Sequence, residues 1–185
     1  MSHRVFSALP LNVFIPQIES QLASLKENFP EVKWAPLDYF HITLHFFAKL
    51  SDQDLKHFQS ILRENSKKIA SIKLGLEGMG VFPDFTNPKV LWMGLKGDLE
   101  ALSRSHELFQ TILKTAGFPV DDRPFHPHMT VGRITSKTEF EALLDLPEIS
   151  TPLESFREIC LYESRLSSQG TTYEILERFP LSAYA

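Results

Sequence analysis

The sequence predicts an α+β fold, and its patterning carries that prediction. Segments dense in β-branched, aromatic or alternating apolar residues take turns with segments of helical period along the 185 residues. Their order, strand–helix–strand–strand–helix and then more of the same kind, is not the strict alternation of a parallel βαβ sheet. One short pattern is also written twice on strand-like segments in different halves of the chain. These are His41-Ile42-Thr43-Leu44 and His128-Met129-Thr130-Val131.

Arg4 to Leu9 is an apolar run closed by Pro10 and reads as a strand. From about Phe14 to Asn28, Ile18, Leu22 and Leu25 recur at helical spacing until Phe29-Pro30 stops them. Val32-Lys33-Trp34 reads as a short strand, and Pro36 to Phe40 as the loop that delivers the first motif. His41 to Phe47 is a strand. Ser51 caps a helix with Asp54 as its acidic third residue, and Leu55, Phe58, Ile61 and Leu62 form its stripe. Ile72 to Val81 alternates as a strand broken at Gly78 or Gly80, and Phe82 to Pro88 is a loop. Lys89 to Leu95 is a strand. Asp98 to Ala116 is a helix with Leu99, Leu102, Leu108, Ile112 and Leu113 on its apolar side, ended by Gly117. Phe118 to Pro127 delivers the second motif, and His128 to Ile134 is a strand. Lys137 to Leu144 reads as a short helix. Phe156 to Leu166 and Thr172 to Phe179 read as a hairpin joined through Ser167-Ser168-Gln169-Gly170.

Composition narrows the function classes. A hydrophobic share of 43% is enough for a packed core, so the chain is not read as disordered. The formal charge of -4 argues against broad duplex binding, although a nucleotide or an RNA end needs only a local pocket. Cys160 is the only cysteine, so neither an intramolecular disulfide nor a thiolate cluster can form. No run reaches about 18 apolar residues, and the N-terminal run is too short for a signal-peptide core. The expected location is cytoplasmic.

In a strand, His and Thr at i and i+2 point the same way. Each motif therefore offers one imidazole and one hydroxyl to one surface. Two copies facing each other would supply a proton taker, a proton giver and neutral donors, which is what acid–base chemistry on a phosphate ester needs. His41, Thr43 and His45 share one parity, with Ile42, Leu44 and Phe46 as the natural core face. His45 has no counterpart in the second copy, where Gly132 stands, and is expected to support the structure. Strict alternation puts Arg133 on the face opposite His128. It reaches the same pocket only if the strand twists, bulges or ends there, and would then hold a phosphate or nucleobase with its fork of donors.

Three readings compete on the residues alone. A histidine and a threonine on one strand face also suit an ordinary solvated surface. His41, His45, His126 and His128 supply four imidazoles, which suit zinc. No Asp, Glu or Cys stands at a telling spacing inside either motif, however, and paired threonines have no part in such a site.

The chain resembles the 2H phosphoesterases, and within them the RNA 2′,3′-cyclic phosphodiesterases (the LigT/ThpR group, also called 2′-5′ RNA ligases). Besides the two motifs, the resemblance is carried by Arg4-Val5-Phe6-Ser7-Ala8-Leu9-Pro10, Val90-Leu91-Trp92-Met93-Gly94 and Arg123-Pro124-Phe125-His126-Pro127-His128. Leu161-Tyr162-Glu163-Ser164, Gly170 to Leu176 and Phe179-Pro180-Leu181 extend it to the C-terminal region. The chain departs from the pattern before His41, where Leu37-Asp38-Tyr39-Phe40 stands, and at His126, where many members carry Arg.

The resemblance implies a single domain over residues 1–185, made of two intertwined, pseudo-symmetric lobes. Each lobe would be an antiparallel sheet with outer helices, facing the other across a cleft and carrying one motif. It implies metal-independent hydrolysis of a 2′,3′-cyclic phosphate to a 2′-phosphate, with no cofactor. His41 would be the acid for O3′ and His128 the base for water. Thr43 and Thr130 would bind the non-bridging oxygens, with Arg133 as a further substrate contact. The implied partners are RNA termini or nucleoside 2′,3′-cyclic phosphates, with no membrane and no protein partner, and the expected state is a monomer. ATP-independent 2′-5′ RNA ligation, cleavage of 2′-5′ linked oligonucleotides and non-catalytic binding of nucleotides or RNA ends would use the same residues.

Overall fold

The computed structural model describes residues 2–135, 148–168 and 170–183. The helix read at Lys137 to Leu144 lies outside them. The strands are β1 (Ser2–Pro10), β2 (Val32–Trp34), β3 (His41–Ser51), β4 (Ile72–Phe82), β5 (Val90–Gly97), β6 (Met129–Ile134), β7 (Glu154–Phe156), β8 (Glu158–Ser167) and β9 (Gly170–Pro180). The helices are α1 (Ile15–Asn28), α2 (Asp52–Asn65) and α3 (Leu99–Thr115). The fold is α+β, as the sequence predicts. The described strands form one curled antiparallel sheet in the order β7-β4-β5-β6-β3-β1-β8-β9, with β2 on β6.

Both ends of the sheet are broad, but they meet at a narrow seam. β1 pairs β3 along most of its length and β8 along its middle, and β4 pairs β5 from Leu74 to Phe82. Between β3 and β6 the single recorded pair is Ile42↔Met129. Both of these side chains are 0% exposed, and they tie the core together across the seam.

The helices cover the outer surface through apolar stripes. In α1, Ile18, Leu22 and Leu25 are buried, and Phe14 at its entry meets Phe156 of β7 with centroids 5.8 Å apart. In α2 the Ser51 hydroxyl accepts from the Asp54 backbone N–H at 3.1 Å, the N-cap read from the sequence, and donates to the Asp54 carboxylate at 2.7 Å, a side-chain bond in place of the capping-box bond to the Ser51 backbone. Phe58 of α2 meets Phe47 of β3 edge-on at 5.1 Å, while Gln59 and Arg63 donate to Glu177 of β9.

Some details differ from the sequence reading. The buried line of α3 is Leu102, Ser105, Phe109 and Leu113, whereas Leu99 and Leu108 are exposed. The helix is apolar on more than one side, and β3 and β4 select the stripe that holds Phe109. α3 ends as predicted: Gly117 takes φ 84, Phe118 N–H donates to Leu113 O and Gly117 N–H to Lys114 O. β4 is continuous, with its irregularity between Leu76 and Met79, where Gly78 has φ 68. Phe156 belongs to β7 and pairs with Ile72, so the C-terminal hairpin begins at Glu158. Among the described residues, no helix is long and apolar enough to cross a membrane.

Candidate active site

The Ile42↔Met129 pair sets the register of both motifs. In an antiparallel ladder, one step outward puts Thr43 opposite His128, and one step the other way puts His41 opposite Thr130. Ile42 and Met129 point into the core, so all four motif side chains point to the opposite face of the sheet, termed the cleft face. The histidines are diagonal neighbours, a relation in which backbones stand about 7–8 Å apart. Each ring is near enough for the charge of His128 to act on His41.

Both imidazoles are held in the same way. His41 Nδ1 lies 2.5 Å from the Tyr39 carbonyl, and His128 Nδ1 lies 2.7 Å from the His126 carbonyl. A carbonyl only accepts, so Nδ1–H donates in each case, and the neutral ring keeps its Nε2 lone pair for the cleft. Among the described residues, no carboxylate forms a hydrogen bond or ion pair with either ring. Burial pushes His41 down to about 4, against the Tyr39 bond that favours its charged form, and the His128 charge lowers it further. Burial also lowers His128, opposed by its bond to His126. Both rings are therefore neutral near pH 7.

A matching irregularity follows each motif. β1 pairs Ser7↔His45 and then Ala8↔Thr43, so Leu44 is an extra residue in β3. β5 pairs Leu91↔Gly132 and then Trp92↔Thr130, so Val131 is an extra residue in β6. Each bulge shifts parity by one. The core-facing series is accordingly Ile42, Leu44, Phe47 on one strand and Met129, Val131, Ile134 on the other. The residue five places after each histidine, Phe46 or Arg133, therefore returns to the cleft face. Strict alternation would have turned Arg133 away, and the bulge reverses that. His45 moves the other way. The expected shared face with His41 and Thr43 is wrong, because the bulge turns His45 toward α3, where it stacks on His106 at 4.6 Å and 4° and is 6% exposed. Burial, and next the His106 charge, push His45 down to about 3. With His45 behind the sheet, the four imidazoles do not converge. Among the described residues, no three His, Cys, Asp or Glu side chains form a group suited to a metal ion.

Other residues that build the site come from distant strands. Phe6 stacks on His41 at 4.7 Å, Tyr173 meets it edge-on at 5.6 Å, and Tyr162 stacks on Phe6 at 4.9 Å. On the other side Phe82 meets His128 edge-on at 4.9 Å, with Trp92 at 6.3 Å. Gly80 makes room for Trp92, since a Cβ there would overlap the indole. Arg4 is a second cleft arginine. Its guanidinium lies 4.5 Å from the centre of the Phe46 ring, and its charge, like that of Arg133, acts on the Tyr173 phenol. The parity of Arg4 with Phe6 on β1 was the available signal for it, but only the fold brings those strands beside His41.

The sequence profile of the 2′-5′ RNA ligase superfamily matches residues 14–163. The chain belongs to that superfamily. A Bacillus subtilis (strain 168) relative named RNA 2′,3′-cyclic phosphodiesterase is 34% identical over 154 residues, 81% of this chain and 81% of the relative. A protein of the same name from Aquifex aeolicus is 31% identical over 153 residues, 80% of this chain and 81% of that one. The chain spans 56% of a longer Geobacillus stearothermophilus relative of that name, at 29% identity over 95% of its own length. Among solved structures, E. coli LigT complexed with 3′-AMP superposes with a TM-score of 0.79 at 22% identity, covering 98% of this chain and 99% of that one. A Thermus thermophilus structure gives 0.82 at 21%, covering 98% and 100%. These likenesses show that the superfamily member has the LigT fold.

Proposed function

We propose that this chain is a metal-independent RNA 2′,3′-cyclic phosphodiesterase that opens the cyclic phosphate to a 2′-phosphate, working as one domain whose two sheet halves each supply one motif. The observation that carries this reading is the register of Ile42↔Met129, from which two histidines and two threonines fall on one face of the sheet. The names of the relatives agree with it.

In the proposed mechanism, water attacks phosphorus in line with the departing O3′, so base and acid must stand on opposite sides of the phosphate. Diagonal histidines with free Nε2 atoms supply that pair. His128 takes the proton of water, and His41 gives a proton to O3′. The O3′–P bond breaks as the new O–P bond forms, and the phosphate stays on O2′. Thr43 and Thr130 donate to the non-bridging oxygens, while Arg133 and Arg4 add positive charge as negative charge builds. The free enzyme holds His41 neutral, so its proton arrives with substrate: an anionic phosphate beside the ring favours the imidazolium.

The test is turnover of a nucleoside 2′,3′-cyclic monophosphate in EDTA, with the product read by phosphorus NMR. The expected product is the 2′-phosphate alone. A 3′-phosphate product, or loss of turnover in EDTA, would overturn the mechanism. Absence of turnover on both mononucleotide and RNA-end substrates would favour a binding role.

A further inference from the structure

A cavity of about 540 Å³ opens beside His41. Tyr39, Tyr162 and Tyr173 line it; Tyr162 and Tyr173 also wall the His41 ring, and the Tyr39 carbonyl accepts from its Nδ1–H. Tyr173 lies 5.6 Å and Tyr162 6.0 Å from the His41 imidazole, and Tyr39 and Tyr173 lie 4.7 Å from each other. Arg157 and Arg178 stand in the same lining. Glu158 pairs with Arg178, whereas Arg157 is exposed and makes no ion pair among the described residues. A larger cavity of about 750 Å³ lies between Lys68–Ser71 and the start of α3, and its lining shares no residue with the aromatic walls of either histidine.

We propose that the cavity beside His41 seats the nucleoside that carries the cyclic phosphate, its base stacked against Tyr39 and Tyr173 and its 5′-phosphate held by Arg157. The inference rests on the function proposed above. A terminal base is tethered to the reacting phosphorus through one ribose, so its seat must lie near a catalytic histidine, and this cavity shares Tyr162 and Tyr173 with the wall of His41. Tyrosine faces stack any base, which makes the seat tolerant of sequence. Burial raises the Tyr173 phenol above its ordinary range, so the hydroxyl stays a neutral donor. The Arg157 guanidinium offers the planar fork that suits phosphate oxygens. In an RNA end the 5′-phosphate is the link to the preceding nucleotide. The arrangement therefore selects RNA ends over nucleoside cyclic phosphates.

The experiment compares kcat/KM for a nucleoside 2′,3′-cyclic phosphate, its 5′-phosphorylated counterpart and base-free ribose 2′,3′-cyclic phosphate. The wild type is expected to favour the 5′-phosphorylated substrate about tenfold, the size of one charge-assisted contact. In Arg157→Ala that ratio falls to about one. In Tyr173→Leu, KM rises roughly tenfold for base-bearing substrates relative to the base-free one, as loss of one stacking partner predicts. A wild type indifferent to the 5′-phosphate, a preference that survives Arg157→Ala, or equal losses with and without the base would overturn the proposal. Should the wild type turn over none of these, the enzymatic reading fails separately. Calorimetric binding of a nucleoside 2′-phosphate with and without a 5′-phosphate then decides the inference by the same ratios.

Discussion

His41 and His128 share a backbone lock but not an environment. Each gives its Nδ1–H to the carbonyl two residues before it, and each is followed by a bulge that brings the fifth residue back to the cleft. Around His41 the walls are Phe6, Tyr162 and Tyr173, from β1 and the C-terminal hairpin. Around His128 they are Phe82 and Trp92, from β4 and β5. The fifth residue is Phe46 on one side, 44% exposed and carrying Arg4, and Arg133 on the other. The shared part sets tautomer and direction, which the proposed acid and the proposed base both need. The differing part sets how hard each ring is to protonate and what would lie beside the proposed phosphate.

The largest expected effect breaks both halves alike. His41→Ala and His128→Ala should each lower turnover by roughly 10²–10⁴-fold without changing the fold. Because the two act as one unit, the double variant should lose little more than the worse single one. Additive losses, read by steady-state kinetics and circular dichroism, would mean that the halves act separately. Next, Thr43→Val and Thr130→Val should each cost on the order of 10²-fold in kcat if both hydroxyls donate to developing charge. A loss confined to one of them would break the symmetry of the site.

The differing halves respond to charge. Binding of a phosphate ester near pH 7 should draw a proton from solution, because the free rings are neutral and the anion favours an imidazolium. Calorimetry in buffers of different ionisation enthalpy would measure it, and zero uptake would contradict the proposed route to a protonated His41. The smallest effect is on stability. His45 ordinarily titrates at 6.5 and is held at about 3 in the fold, so the unfolded chain binds the extra proton between those values. Its contribution is intact above 6.5 and is lost as the pH falls through that window, with His41 adding the same sign down to about 4. The thermal midpoint should therefore decline as the pH falls below 6.5, and a flat profile would contradict the burial of these rings.

Much of this was legible in the sequence. Period and caps place the strands and helices, and the twin His-x-Thr pattern marks the four central residues. What the sequence hid is pairing. Arg133 faces the cleft and His45 leaves it because Val131 and Leu44 are bulged against neighbouring strands, a property of two chains of backbone and not of one. Phe109 displaced Leu108 from the core face of α3 because the sheet chose between two apolar sides. Phe6, Tyr162, Tyr173 and Arg4 lie in segments that carry the family resemblance, but their place around the site follows only once β1 is paired between β3 and β8.

The central claim, that both motifs act on one phosphate, is tested most directly by nitrogen NMR of the imidazoles in EDTA. Without ligand, His41 and His128 should both show Nδ1–H tautomers near pH 7. Titration with a nucleoside 2′-phosphate should shift the Nε2 signals of both at one common affinity, leaving His45 and His106 unmoved. A shift of only one of the pair, or Nε2–H tautomers in the free protein, would contradict the account.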